Sequence, residues 1–149
     1  MLIGQETQIA ENLTLFTIGG VPVSWKSKKQ ATVALSTAEA EYMALSTAAQ
    51  EVSWLRKFLV NFGLDQNKAT VIFEDNQGCI ALAKNPVSHE RTKHIDIRYH
   101  FIRELVEAKM IDLQYLPTAD MLADLLTKGM ARDRHLDLCR RLNVIGLSM

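Results

Sequence analysis

Three acidic residues sit where surface charge is not expected, in a chain whose 17 lysines and arginines balance 17 aspartates and glutamates. Asp75 follows the apolar run Thr70-Val71-Ile72-Phe73 and opens a short helix. Open α/β sheets place ligands at such strand ends, although a plain helix N-cap occupies the same position. Glu41 precedes Tyr42 at the edge of the apolar face of a long helix, near its N-terminus. A carboxylate there also answers the helix dipole. Asp124 lies inside Met121-Leu122-Ala123-Asp124-Leu125-Leu126. It needs a partner or a cation there unless it is on an exposed flank. Carboxylates gathered in one place raise each other's pKa, and divalent cations remove that penalty. Mg²⁺ favours a few carboxylates, waters and substrate phosphates. Two such ions about 4 Å apart clamp the attacking and leaving oxygens of a phosphodiester. The three acids are therefore expected to converge on one site.

Basic residues form three groups. Arg91, Lys93, His94, Arg98, His100 and Arg103 are dense in one stretch; Lys26, Lys28 and Lys29 form a second group; Arg132, Arg134, His135, Arg140 and Arg141 form a third. Such patches either contact phosphates in a salt-sensitive way or are ordinary charged surface. The spacing of His94 and His100 does not put both on one helical face. Trp25 and Trp54 could stack on bases, with core packing the expectation. Cys79 reads as a small buried apolar residue.

The elements that must position these residues follow from local patterns. Leu13–Ile18 and Val21–Lys26 read as a hairpin around Gly19-Gly20, with Pro22 marking an edge strand. Ser36-Thr37-Ala38-Glu39 is a capping box opening a helix over 37–62. Its apolar face is Tyr42, Leu45, Ala49, Val52, Leu55, Phe58, Leu59 and Phe62, and Gly63 ends it. A strand over 70–73, a helix over 77–84 capped by Asp75 or Asn76, and a polar, basic loop over 87–94 follow. Next come a helix from about Asp96 to Lys109, a strand over 111–116, a helix over 119–127 and a helix over 132–142 with Leu136, Cys139 and Leu142 as its face. The alternation gives an α/β domain with a mixed sheet flanked by helices and a parallel crossover from 71–75 to 111–116.

Hydrophobic residues make up 48% and charged residues 23% of the 149, which fits one globular domain and excludes low-complexity classes. Apolar runs are too short to span a membrane, and the N-terminus lacks the pattern of a signal peptide. Two distant cysteines indicate neither a disulfide framework nor a zinc cluster, so an intracellular, reducing compartment is expected.

Five segments together resemble the ribonuclease H domain at the C-terminal end of the Pol polyprotein of copia-type LTR retrotransposons, with a plant flavour. They are Val23–Gln30, Ala34–Leu45, Glu74–Gln77, Arg91–His100 and Leu122–Lys128. The likeness covers about residues 13–143. It implies a ribonuclease H-like sheet. It also implies Glu41, Asp75 and Asp124 as catalytic, metal-holding residues, with Mg²⁺ or Mn²⁺ as cofactor. The substrate would be the RNA strand of an RNA–DNA hybrid, attacked by a deprotonated water with the 3′ oxygen leaving. Lys26, Lys28, Lys29, Arg91, Lys93, His94 and Arg98 would bind nucleic acid. A reverse transcriptase domain would lie in the parent polyprotein, in a cytoplasmic virus-like particle or the nucleus.

One departure stands out. The family begins with a central strand bearing an aspartate, in a phrase like Asp-Ala-Asp-Trp, and residues 1–12 do not match it. These residues form an atypical N-terminal segment ahead of a domain over 13–149. Hydrolysis is expected to be impaired, and a non-catalytic module binding nucleic acid or protein is the alternative. A gap in mid-sheet leaves backbone groups unpaired. Either Leu2–Ile9 fills it, with Ile3, Thr7 and Ile9 on one side and Gly4, Glu6 and Gln8 on the other, or a second copy supplies a strand in an exchanged homodimer. In the first case Glu6 is the one carboxylate of the segment that could approach the metal site.

Overall fold

The computed structural model describes residues 5–10, 13–27, 36–85, 93–126 and 128–144. Five strands form one sheet: β1 (Gln5–Ala10), β2 (Leu13–Ile18), β3 (Val21–Ser27), β4 (Thr70–Glu74) and β5 (Ile111–Tyr115), in the spatial order β3-β2-β1-β4-β5. β1 runs antiparallel to β2 and parallel to β4, and β4 runs parallel to β5. The mixed α/β class expected from the sequence is the one observed, and the arrangement is consistent with a ribonuclease H-like fold. β1 comes from the N-terminal segment of the same chain, so the centre of the sheet is closed without a strand from a second copy. Leu2 to Gly4 and the turn at Glu11-Asn12 lie outside the described residues.

The hairpin forms as read. Gly19 and Gly20 both take positive φ, +60° and +77°, which glycine adopts without a Cβ clash. Pro22 sits on the edge strand β3, opposite Thr17 and beside a register shift in the β2–β3 pairing, positions where a missing N–H is tolerated.

Helix α1 (Thr37–Asn61) starts at Ser36, whose Oγ accepts from the Glu39 N–H at 3.1 Å. It ends in a Schellman turn: Gly63 N–H bonds Val60 C=O and Leu64 N–H bonds Leu59 C=O, with Gly63 at φ +75°. Tyr42, Leu45, Ala49 and Val52 are buried against Ile9, Phe16 and Ile72 of the sheet. Full burial of a side chain such as Leu45 is worth about 1.5–3 kcal/mol. Phe58 and Phe62, assigned to this face by spacing, are exposed, 43% and 70%. The last turns of α1 bury Arg56 and Leu59 instead, and Trp54, Phe58 and Phe62 contact one another through their rings, with centroids 5.3 and 4.8 Å apart.

Helices α2 (Gln77–Lys84) and α3 (Lys93–Glu107) pack with α1 on the same face. The Lys93 start of α3 lies three residues before the expected Asp96. The opposite face carries Leu13 and Leu15, which meet Ala123 and Leu142. Here the expected helix over 119–127 is instead two 3-10 helices, Thr118–Asp120 and Leu122–Leu126. The cause is tertiary: the buried Gln8 of β1 accepts from the N–H groups of Leu122 (2.6 Å) and Ala123 (3.3 Å) through one oxygen. That bond fixes a new start at Leu122 and splits the segment at Met121, which is extended. Helix α4 (Arg132–Arg141) ends one residue before the expected Leu142 and buries Leu138, with Leu142 just beyond it, rather than Leu136, which is 41% exposed.

Candidate active site

Strand β4 carries the chemistry at its C-terminal end. Its side chains alternate, so Thr70, Ile72 and Glu74 point inward toward the three-helix face. Glu74 is therefore wholly buried, opposite Ile9 of β1. Its Oε1 accepts from the Asn76 N–H at 3.1 Å, and its Oε2 is buried. Burial, then the nearby carboxylate of Glu41, then the charge of Asp75 and a side-chain hydrogen bond with it raise the Glu74 pKa to about 8, against the bond from Asn76. The sequence reading passed over Glu74. The signal was present in the alternation of Thr70, Ile72 and Glu74, which puts position 74 on the buried side.

Asp75 is not the cap of α2. Asn76 takes that role, its Oδ1 accepting from the Cys79 N–H at 3.1 Å. Asp75 instead accepts at Oδ2 from the Thr118 hydroxyl at 2.7 Å, which ties the strand end to the first 3-10 helix. Glu41 is half-buried near the N-terminus of α1 and acts on Glu74. The thiol of Cys79 is pushed up by burial, by Glu74 and by Glu41, so both carboxylates surround the start of α2. Cys79 is fully buried, as its reading as a small apolar residue expects. The neighbouring Tyr42 packs its ring on Tyr99 at 4.1 Å, and burial raises its hydroxyl pKa.

Asp124 is buried rather than on an exposed flank. It forms an ion pair with Lys128 at 3.2 Å, one helical turn on. Its neighbour Ala123 meets Leu13, which pairs with Ala10 at the end of β1. The 3-10 helix bearing Asp124 thus packs on the face of the sheet opposite α1, which bears Glu41. Among the described residues, no three His, Cys, Asp or Glu side chains are gathered closely enough to hold a metal ion. The donors are all hard oxygens, which suits an ion bound through one or two carboxylates with water and phosphate completing its shell, as Mg²⁺ prefers, but not an all-protein cage. Glu6 does not take part. It is exposed, pairs with Val71 and Thr17 at the opposite end of β1, and lines a small cavity with Val52, Leu55 and Thr70.

Of the basic residues, Lys26 is about half exposed and 3.8 Å from Glu51, and Arg98 is half-buried. Lys28, Lys29 and Arg91 lie outside the described residues. Lys93 and His94 fall on α3, with their side chains outside the described set. Arg134 and Arg141 of α4 reach back to the first 3-10 helix, Arg141 pairing with Asp120 at 3.7 Å. Trp25 and Trp54 are 63% and 56% exposed, which corrects the expectation of core packing. Trp25 is on the edge strand, and Trp54 lies off the buried face of α1.

Sheet order and site together define an α/β domain with two carboxylates, Glu74 and Asp75, at the C-terminal end of its interior strand β4. The chain is similar to the retrovirus-related Pol polyprotein from transposon TNT 1-94 of Nicotiana tabacum, 46% identical over 128 residues, 86% of this chain and 10% of that protein. It is also similar to the Pol polyproteins from transposons RE2 and RE1 of Arabidopsis thaliana. These are 37% and 36% identical over 137 and 140 residues, 92% and 94% of this chain and 9% and 10% of theirs. Its homologues are thus Pol polyproteins of plant retrotransposons, and the chain spans about a tenth of their length. No family model matches it. Among the described residues, no helix is long and apolar enough to cross a membrane.

Proposed function

We propose that the chain is the ribonuclease H domain of a retrotransposon Pol polyprotein, built to hydrolyse the RNA strand of RNA–DNA hybrids. One observation carries this reading above the others: Asp75 sits just past the end of β4, beside β1, and is held by Thr118. Glu41 and Asp124 on flanking elements are the other acids of the site. Mg²⁺ or Mn²⁺, bound through one or two of the carboxylates of Glu41, Asp75 and Asp124 with water and phosphate completing the shell, would supply the charge that activates water and stabilises the leaving oxygen. The chain's own part is to fix the carboxylates. The Schellman-capped α1 carries Glu41, the Thr118 bond holds Asp75, and Gln8 sets the 3-10 helix bearing Asp124. Lys26, Lys28, Lys29, Arg91, Lys93, His94 and Arg98 would contact phosphates of the hybrid. In the parent polyprotein the partner is the reverse transcriptase domain, in an intracellular particle or the nucleus.

A second reading, a nucleic-acid-binding module without turnover, is favoured by β1 itself, whose sequence Gln5-Glu6-Thr7-Gln8-Ile9-Ala10 places no carboxylate at its C-terminal end. Cleavage of a labelled RNA–DNA hybrid with Mg²⁺ or Mn²⁺ separates the two. Metal-dependent cleavage lost in Asp75→Asn establishes the nuclease. Salt-sensitive binding without cleavage establishes the module.

A further inference from the structure

Asp75 does not cap α2, a role that Asn76 takes, so its side chain is fixed by other means. The Thr118 hydroxyl donates to Oδ2 at 2.7 Å, across 43 residues of sequence, and the buried Glu74 makes a side-chain hydrogen bond with the same aspartate. The 2.7 Å length is that of a hydroxyl bonded to a carboxylate. Thr118 is itself exposed, so water competes for its hydroxyl. Its direction is set by a backbone held from two sides. On the sheet side, Leu116 N–H donates to Glu74 C=O at 3.1 Å, and Asp120 N–H donates to Pro117 C=O at 2.8 Å. On the other side, Arg134 and Arg141 of α4 donate to the carbonyls of Ala119 and Asp120 at 3.3 and 3.4 Å, and α4 is anchored by the buried Leu138 and Leu142. These two arginines of the third basic group thus turn toward the turn that carries Thr118. An unrestrained aspartate exchanges among staggered χ1 rotamers. An ion bound through only one or two carboxylates gains most when those carboxylates are already in place. Donors behind a ligating carboxylate supply this, and losing one costs about 10–100-fold in metal affinity.

We propose that Thr118 is a positioning residue of the site: its hydroxyl locks Asp75 in one rotamer, so that the carboxylate is preset for a divalent cation. This rests on the metal-dependent reading above and adds to it a residue that acts only through Asp75.

The metal-free full chain gives the first readout. Three-bond couplings from the Asp75 backbone nitrogen and carbonyl carbon to its Cγ report χ1 by nuclear magnetic resonance. A single rotamer is expected in the wild-type chain and in Thr118→Ser, which keeps the hydroxyl. Averaged couplings are expected in Thr118→Val, which keeps the shape and loses the donor. Because Thr118 is exposed, both variants should match the wild-type chain by circular dichroism. Mn²⁺ is the second probe, with the free ion followed by electron paramagnetic resonance. Thr118→Val should bind it about tenfold or more weakly, and Thr118→Ser within about twofold of the wild-type chain. A single Asp75 rotamer in Thr118→Val overturns the proposal, as does wild-type Mn²⁺ affinity in that variant or failure of serine to restore it. If Asp75→Asn still abolishes Mn²⁺ binding in those cases, the metal-dependent reading stands without Thr118. If the wild-type chain binds no Mn²⁺, that reading fails and the proposal fails with it.

Discussion

Ile9 of β1 lies directly opposite Glu74 of β4 in the parallel register, and both side chains are wholly buried. The pair fixes how the unusual first strand is aligned with the strand that bears the site. Ala10, one residue beyond Ile9, is the last residue of β1, the strand end that carries no carboxylate. Ala10→Asp is therefore expected to raise hydrolysis of a labelled RNA–DNA hybrid by on the order of 100-fold, since a missing metal ligand is worth several kcal/mol of transition-state stabilisation. A folded variant with no gain in Mg²⁺-dependent cleavage would show that β1 does not limit activity.

Stability should depend on the protonation of Glu74. Its pKa is raised from 4.5 to about 8 in the folded chain, chiefly by burial and then by Glu41. The folded state thus holds a proton that the unfolded state has released anywhere between those two values. Stability in metal-free buffer is expected to fall as pH rises through that window, by at most about 1.4 kcal/mol per pH unit, and to level off above it. Glu74→Gln, which is neutral throughout, should flatten this slope when urea midpoints are compared across pH. An unchanged slope in the variant would assign the dependence to other groups.

Arg56 anchors the loop between α1 and β4. Its guanidinium donates to Lys68 C=O at 2.8 Å, Thr70 Oγ1 at 2.9 Å and Gln66 C=O at 2.7 Å, and the residue is only 8% exposed. Burial lowers its pKa. Arg56→Ala leaves buried acceptors without donors and should cost about 2–4 kcal/mol in chemical denaturation. Arg56→Lys should recover only part of this, because one ammonium cannot reproduce a planar fork reaching three acceptors. Full recovery by lysine would mean that charge rather than geometry matters here.

Elements governed by local rules were legible before any coordinates. The Gly19-Gly20 turn, the Ser36 cap, the Gly63 stop and the bounds of α2 all follow from backbone chemistry within a few residues. The three candidate acids were visible as charges interrupting apolar patterns. What local rules could not supply was tertiary. Splitting 118–126 into two 3-10 helices depends on Gln8, 114 residues away from Leu122. The exposure of Trp54 and Phe58 depends on which side of the last turns of α1 is covered, Arg56 and Leu59 being the buried ones, and helical spacing does not encode that. Glu74 and Arg56 lie between these cases. Each falls on the inward side by periodicity, but a charged residue is ordinarily assigned to the surface.

Gln8 carries the last prediction. It is the side chain through which the new first strand holds the segment bearing Asp124. Its Oε1 accepts from two backbone donors, those of Leu122 and Ala123, and Ala123 is fully buried. These are N-terminal donors of a 3-10 helix with no intrahelical acceptor, so Gln8 acts as a cap supplied from another element. Gln8→Leu keeps the apolar bulk and removes the acceptor. It should cost about 1–3 kcal/mol, the usual penalty for stranding buried donors. Gln8→Glu retains an oxygen in the same place and should lose less. The effect should also be local: amide hydrogen exchange at Leu122 and Ala123 is expected to accelerate in Gln8→Leu beyond the change at Ile72 or Leu113 of the sheet, where global opening sets the rate. Equal acceleration at all four positions would mean that Gln8 stabilises the fold as a whole without specifically holding the Asp124 segment.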